Sequence, residues 1–479
     1  MPTHPSKRSV GFSRPGGYSR RRFGQWVMLS AGVTSLLANC RPSEVPAPSN
    51  GAEERSPVDW QRYRGQTLRL LLDQHPWTEG IQPYLADFEA LTGIRLERQI
   101  VPEPDYFQVL EAALRQDPVP HDVCFLPMDS TAYRLWQEAL LLPLTPLLND
   151  SQLTEASYNL FDFPEGFRLA ATYPPAGDKQ HLFGIPATFD AYVLFYNKRL
   201  INQYLDGVVP KTMPDLIAAA QHINQVGRGE FFGAVMRGVK ADTIIDTVTG
   251  VVLNSWGAAP TPLPYNLWFD GDWQRPRFTD PAIVAGLTAY ARLMQAGPPQ
   301  IKAMDWPEAT ALFRAGKAAF YIDASLFGPN YQEPTAAIAP DVGYGVLPPV
   351  HQDSLTGHWL WGLGIAQKTP QPEAAWLFVQ WATSQRMEPL IAVMTGGAPR
   401  FSSWLRPSAY TKAMAIDYAL TVQTAMQTSR PTVVLHARWP AVAVAIATAI
   451  QNIYDGVDPT LAVDQLQAAV VQIMAQEAA

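Results

Sequence analysis

One stretch, Phe183-Gly-Ile-Pro-Ala-Thr-Phe-Asp-Ala-Tyr-Val-Leu-Phe-Tyr-Asn-Lys-Arg-Leu200, constrains the fold more than any other. It lies between two regions that each alternate strand and helix. Pro186 fixes its own φ and pushes Ile185 towards extended backbone. Phe189, Tyr192, Leu194 and Phe195 then suit a half-buried strand. The stretch therefore reads as an extended crossing from one α/β lobe to another, a place where a few backbone rotations swing whole lobes.

The region before it has a βαβαβ pattern. Leu68 to Leu72 is an apolar strand and Asp73 to Trp77 a loop. Thr78 is positioned to cap a helix carrying Ile81, Leu85 and Phe88, which Gly93 ends. Ile94 to Val101 is the second strand. Asp105 is positioned to cap a helix with Phe107, Leu110 and Leu114, and Asp122 to Leu126 is the third strand. Such units build parallel sheets with right-handed crossovers. Ligands of open parallel sheets sit beyond the carboxyl ends of the strands. That rule puts the Asp73–Trp77 loop and Met128-Asp129-Ser130 at a cleft mouth, with His75 and Trp77 as ligand residues or as plain turn and helix-end residues.

Beyond Lys198 the alternation resumes. Thr212 with Asp215 opens a helix to Val226, and Asp280-Pro281 opens another to Ala296. Trp306 to Ala315 is a helix closed by Gly316. Lys317 to Asp323 is a strand, and Asp323 at its end either reaches the cleft or caps the next turn. Val342 to Leu347 and Trp359 to Ile365 read as a strand pair joined by a polar loop. Trp359 and Trp361, two apart, share a strand face, and Gly362 leaves room beside the second indole. Glu373 to Thr383 is a helix whose Trp376 and Trp381 read as core. Two helices, Trp439 to Tyr454 and Pro459 to Ala475, end the chain.

The 479 residues suit two domains rather than one. Only 16% are charged, against about 25% in an average soluble protein, and the net charge of −7 argues against a nucleic-acid binder. The first 40 residues read as an export signal rather than fold. Ser19-Arg-Arg-Arg-Phe23 is a twin-arginine pattern, and Trp26 to Ala38 is apolar but too short for a membrane-spanning helix of about 20 residues. Leu37-Ala38-Asn39-Cys40 looks like a lipobox with lipid on Cys40, although Asn39 stands where a small residue is usual. The alternative is a plain signal cut near Ala38. Residues 41–66 form a tether, its first part rich in Pro, Ser and Glu. Cys124 is then the one cysteine left, in an apolar strand, so no intrachain disulfide forms, and no metal site or cofactor is expected.

Several of these segments carry a resemblance. Gly184-Ile-Pro-x-x-x-Asp190-x-x-x-Leu194-Phe-Tyr-Asn-Lys198 resembles the lobe crossover of the family 1 extracellular solute-binding proteins, the maltose-binding-protein-like receptors of ABC importers. Gln74-His-Pro-Trp-Thr-Glu79 looks like the opening of sugar- and polyol-binding members. Arg134 to Leu144 resembles a family helix and its exit, with Ala139 in place of the usual Gly. Leu312-Phe-Arg-Ala-Gly-Lys-Ala-Ala-Phe-Tyr-Ile-Asp323 and Thr395-Gly-Gly-Ala-Pro-Arg400 match two further elements. The likeness covers roughly residues 67 to 475.

The resemblance implies an α/β fold of the periplasmic-binding-protein kind. Two discontinuous lobes, 67–189 with 363–395 and 190–362 with 396–479, meet at a hinge of three crossings near Asp190, Trp361 and Gly396, with the ligand cleft between them. It implies ligand contacts from His75, Trp77, Asp129, Asp190, Tyr192, Asp323, Trp359, Trp361, Gly396, Gly397 and Arg400. The expected partners are a saccharide or polyol, membrane permease subunits and a lipid anchor, and the expected state is a monomer. Aromatic faces meet sugar C–H surfaces while carboxylates and guanidinium groups bind hydroxyls, and 14 Trp and 18 Tyr supply the first, though most serve as core. No nucleophile elbow, phosphate loop or zinc motif appears. The rivals are a carbohydrate-active hydrolase or lyase, conscripting Asp129, Asp190 or Asp323, and a receptor for a non-sugar solute.

Overall fold

In the computed structural model, residues 58–175, 177–256, 267–269, 275–350, 354–404, 407–432 and 436–476 are described. Cys40 and the whole leader lie outside them. Strands β1 (Thr67–Asp73), β2 (Arg95–Val101) and β3 (Val123–Pro127) run parallel in the order β2-β1-β3. A small ribbon follows, β4 (Thr172–Tyr173) with β5 (His181–Leu182). The crossing stretch is a single long strand, β6 (Ile185–Asn197). Then come β7 (Phe232–Val235), β8 (Ala318–Ala324), β9 (Val342–Gly345), β10 (Thr356–Ile365) and the short β11 (Ser429–Pro431). The main sheet runs β2-β1-β3-β10-β6-β8-β7, with β11 on β10 and β9 on β6.

β6 changes partners along its length. Ile185 to Ala191 pair antiparallel with β10, whereas Tyr192 to Asn197 pair with β8 and β9. β10 does the same in reverse, with Trp361 to Ile365 on β3 and Thr356 to His358 on β11. These two strands are the crossings. The β6–β10 register slips between Trp361 and Gly362, where Gly362 faces Pro186. A bulge tolerates a proline that has no N–H for the ladder. A Cβ on Gly362 would come within 2.9 Å of the Ile185 carbonyl oxygen, so this glycine lets β6 approach and does not serve the indole.

The first half of the sheet is completed by chain that returns after β10. Asp122, fully buried, accepts hydrogen bonds from Arg69 at 2.8 to 3.1 Å and from the Thr369 hydroxyl at 2.7 Å. Helix Pro372–Ala382 buries Ala374 through Ala382, including Trp376 and Trp381, and its Phe378 meets Phe88 edge-on. On the other half, Thr212 caps helix Met213–Gly227 by accepting from the Asp215 N–H. The helices Trp439–Tyr454 and Pro459–Ala475 form as the spacing predicts.

Three local expectations are corrected. The first helix begins at Pro76, not Thr78, because His75 caps it: Nδ1 accepts from the Trp77 N–H at 3.0 Å, and Pro76 sits where a missing N–H costs nothing. Helix Glu103–Leu114 is led by Pro102, which leaves Asp105 inside the first turn as a dipole partner and not a cap. β9 and β10 are no hairpin, because each pairs with a different part of β6. Among the described residues no helix is long and apolar enough to cross a membrane.

Candidate functional site

A cavity of about 560 Å³ opens where β6 changes partners. Such a size is ordinary for a small-molecule site. One wall comes from the carboxyl ends of β1 and β3. The turn after β1 supplies Gln74, His75 and Pro76, and the turn after β3 supplies Asp129 to Thr131. Helix Glu103–Leu114 adds Glu103, Phe107 and Glu111. His75 is 5% exposed, and burial pushes its pKa down to about 3, so the ring is neutral. Because Nδ1 accepts from the backbone, the ring proton sits on Nε2. That Nε2–H has no partner among the described residues.

The floor is made by the crossing strands. Asp190 of β6 pairs with Trp359 of β10, and Trp361 follows opposite Thr188. Trp361 stacks on Phe125, with centroids 4.7 Å apart and planes 4° apart, and Phe125 stacks in turn on Trp77 at 5.0 Å. One face of the Trp361 indole is therefore covered, while the residue still lines the cavity at 2% exposure. Trp359 lies 6.1 Å from it, half-buried, and its buried Nε1–H lacks a partner among the described residues.

The opposite wall comes from the second half of the sheet. Arg237 stands two residues beyond the end of β7. It donates to both oxygens of Asp323 at 2.7 and 3.0 Å, to Asp246 at 3.0 Å and to the Thr243 carbonyl at 2.9 Å. Trp306 begins its helix behind the capping Asp305, and its ring stacks on Phe327 at 5.6 Å. Both line the cavity, with Asn330 and Trp439 beside them. Trp306 and Phe327 thus line the space from this wall, and Trp359 and Trp361 from the floor.

Charge in this space is one-sided. Six carboxylates and two arginines line it. Arg134 is taken by Glu111 and Arg237 by Asp246 and Asp323. Asp190, 7% exposed, has no cation or hydrogen-bond donor among the described residues, and its Oδ1 is fully buried. Burial first, then the neighbouring Glu103, Asp246 and Asp323, push its pKa up to about 8 against the pull of Arg237. Burial likewise raises Asp129 to about 6 and Asp246 to about 7, although Asp129 keeps a bond from the Thr131 N–H and Asp246 keeps Arg237. Buried polar atoms without partners are rare unless something else satisfies them. Four such atoms, His75 Nε2, Asp190 Oδ1, Trp359 Nε1 and Trp439 Nε1, belong to residues that line this cavity.

Of the residues expected to touch ligand, the structure brings His75, Asp129, Asp190, Tyr192, Trp359 and Trp361 to the lining. It places five elsewhere. Trp77 is fully buried at the far end of the Trp361–Phe125 stack. Asp323 lies behind Arg237 and also accepts from its neighbour's N–H, Ala324, at 2.8 Å. Gly396 ends helix Glu388–Thr395 at φ +70°, where a side chain is disfavoured and would run into the Tyr418 hydroxyl. Gly397 lies against Phe189. Arg400 is fully buried, bonded to the Thr383, Tyr158 and Asn159 carbonyls and to Asp162, with Phe163 and Tyr158 on its faces. These glycines and this arginine hold the frame. Reading the sequence missed Arg237, Asp246, Trp306 and Trp439. Arg237 had a signal, the same strand-end rule that gives Asp129. Among the described residues no cluster of side chains could hold a metal ion.

The two-part sheet, the crossing strands and the cleft at their exchange point are the architecture of a periplasmic binding protein. The sequence agrees. The profile of the bacterial extracellular solute-binding proteins matches residues 75–388, and the chain belongs to that family. It is 28% identical over 430 residues to the erythritol/L-threitol-binding protein of Mycolicibacterium smegmatis, spanning 86% of this chain and 87% of that one. It is 29% identical over 259 residues to the mannitol-binding protein of Pseudomonas aeruginosa, spanning 52% and 57%. The solute-binding protein of Agrobacterium radiobacter in complex with ribitol superposes with a TM-score of 0.68 at 22% identity, over 85% of this chain and 99% of the other.

Proposed function

We propose that the chain is the extracytoplasmic receptor of an ABC importer, that it captures a small sugar or polyol in this cleft, and that it delivers the solute to membrane permease subunits by closing two lobes. The observation that carries this reading is the cavity itself, with aromatic residues on its floor and on one wall and buried hydrogen-bonding atoms left without partners among the described residues. Flat aromatic faces suit C–H surfaces, and the free atoms of His75, Asp190 and Trp359 suit hydroxyls. With both lining arginines already paired, an anionic solute finds no free cation there among the described residues. The erythritol, mannitol and ribitol complexes or names of the relatives favour the polyol end of the range.

The lobes are 67–189 with 363–395 and 190–362 with 396–479, a division supported by the exchange of partners along β6 and β10. The receptor acts as a monomer, is exported by its twin-arginine signal, and is held at the membrane by lipid on Cys40. It releases its solute unchanged and is no enzyme.

The test is titration calorimetry against erythritol, ribitol, mannitol and common disaccharides, with small-angle scattering of the best binder. Ligand at 100 times Kd adds about 2.7 kcal/mol of stability, and closure shrinks the radius of gyration. If no sugar or polyol binds, the reading fails. Saturation without compaction disproves hinge closure, and recovery of altered solute points to the hydrolase or lyase. Equal solubility of wild type and Cys40→Ser in cell fractions disproves the anchor.

A further inference from the structure

Resting on that reading, we propose that the solute carries an ammonium group as well as hydroxyls, seated on Asp190 at the cleft floor: an amino-polyol or amino sugar. The argument begins with geometry. Asp190 sits on β6 where that strand passes from one half of the sheet to the other, and Trp359 and Trp361 on β10 run beside it. It is buried, faces the cavity, and has no protein partner among the described residues. The nearest guanidinium, Arg237, is already shared by Asp323 and Asp246 and has no bond to Asp190. The other arginine of the lining, Arg134, belongs to Glu111.

A neutral polyol donates O–H groups to such a carboxylate but brings no compensating charge. A desolvated carboxylate without a counter-charge is costly, and it avoids the cost by holding a proton. A protonated amine removes the need for that proton. Closing over an ammonium therefore lets Asp190 ionise, with Glu103, Asp246 and Asp323 adding to the attraction and Arg237 opposing it. The aromatic lining contributes further, because ring faces attract cations. The hydroxyls of the same solute then satisfy His75 Nε2–H and Trp359 Nε1–H.

The purified mature receptor tests this by calorimetry with 1-amino-1-deoxy-sorbitol against sorbitol, and glucosamine against glucose, with gluconate as the anionic control. Each pair is titrated at about pH 6 and about pH 8, in two buffers of different ionisation enthalpy. The amine is expected to bind about tenfold tighter or more at the higher pH, on the scale of close charge pairs. At about pH 6, where Asp190 is protonated and the free amine is charged, the amine's binding releases a proton to the buffer, whereas the neutral partner's does not. Asp190→Asn narrows the amine's advantage. Should that variant fail to fold, the buffer dependence of the wild type decides alone. Neutral polyols binding as tightly as their amines at both pH values, or gluconate binding best, overturns the inference and leaves a polyol receptor. No binding by any polyhydroxylated compound, charged or neutral, overturns the receptor reading with it.

Discussion

Among the described residues two arginines are fully or nearly buried, and their surroundings differ. Arg400 lies beyond the end of helix Glu388–Thr395, between the Phe163 and Tyr158 rings, and donates to three carbonyls and one carboxylate. Arg237 lies in the cleft wall and is held by two carboxylates. Arg400 places its Nε and Nη1 bonds mainly on backbone carbonyls, while its Nη2 and the neighbouring Glu388 Oε1 have no partner among the described residues. Around Arg237 negative charge is in excess and hydrogen-bonding atoms are left over. The frame arginine is held mainly by carbonyls and aromatic faces, whereas the cleft arginine is held by carboxylates beside a cavity. The residue type alone does not separate the two cases.

The sharpest way to break this comparison is to remove Arg400. Asp162 and the buried Glu388 beside it, whose pKa burial raises and Arg400 lowers, would lose their cation. Breaking a buried pair by deleting one partner costs about 3–5 kcal/mol. Arg400→Ala is expected to lose that much in denaturant unfolding, while the folded fraction keeps wild-type solute affinity. Loss of affinity at unchanged stability would put Arg400 back in the site.

A second contrast separates two tryptophans of the cleft, each stacked on a phenylalanine. Trp361 is stacked on Phe125 and 2% exposed, so it belongs partly to the frame. Trp306 is half-buried and stacks only on Phe327 among its described ring contacts. On the scale of aromatic stacking on a flat ligand, either truncation to Ala costs about 1–3 kcal/mol of binding. Trp361→Ala is expected to lower the melting temperature without solute far more than Trp306→Ala does. Calorimetry and thermal melts of both variants decide it. Equal melting temperatures would mean that the Phe125 stack contributes little to the frame.

These contrasts also show what could be read from the sequence. The crossing stretch was legible because Pro186 and the run of aromatic and branched residues admit only an extended strand, and β6 is that strand. The cleft mouth was legible wherever the strand-end rule applied to a recognised strand, as at Asp129. It failed at Arg237 because β7 is only four residues long and was not recognised. Thr395 to Arg400 was visible as a motif, but a motif does not say whether its groups face inward. Asp323 had two open readings, and neither was the observed one, a clamp on an arginine 86 positions earlier. Long-range pairing of that kind leaves no local trace.

Asp190 offers a smaller but sign-specific test. Its pKa is raised from the ordinary 3.9 or so to about 8. The folded state therefore holds a proton that the unfolded chain has lost between about pH 4 and pH 8. Stability falls as pH rises through that window. Asp190→Asn cannot ionise, so it is expected to be more stable than wild type at pH 7 without solute and to flatten the slope. Some slope remains, because Asp73, Asp129 and Asp246 are raised in the same direction by burial. Urea melts at several pH values check it, and an unchanged slope would show that water reaches Asp190 freely in the unliganded protein.

The smallest effect lies in the frame. Ala139 stands at φ +54°, at the exit of helix Ser130–Gln137, where the family resemblance expects glycine. An L-residue in that left-handed region carries about 1–2 kcal/mol of steric strain. Glycine removes the strain but gives the unfolded chain more freedom, which costs about 0.5–1 kcal/mol. The side chain is exposed, so no packing is lost. Ala139→Gly is therefore expected to stabilise the protein by about 0.5–1 kcal/mol in chemical denaturation. The exit turn leads away from Arg134, which lines the cavity and pairs with Glu111. If the frame and the site are as separate as the two arginines suggest, solute affinity stays unchanged. A shift in affinity would mean that strain at Ala139 is transmitted along one helix into the cleft wall, and that the boundary between frame and site runs through this helix.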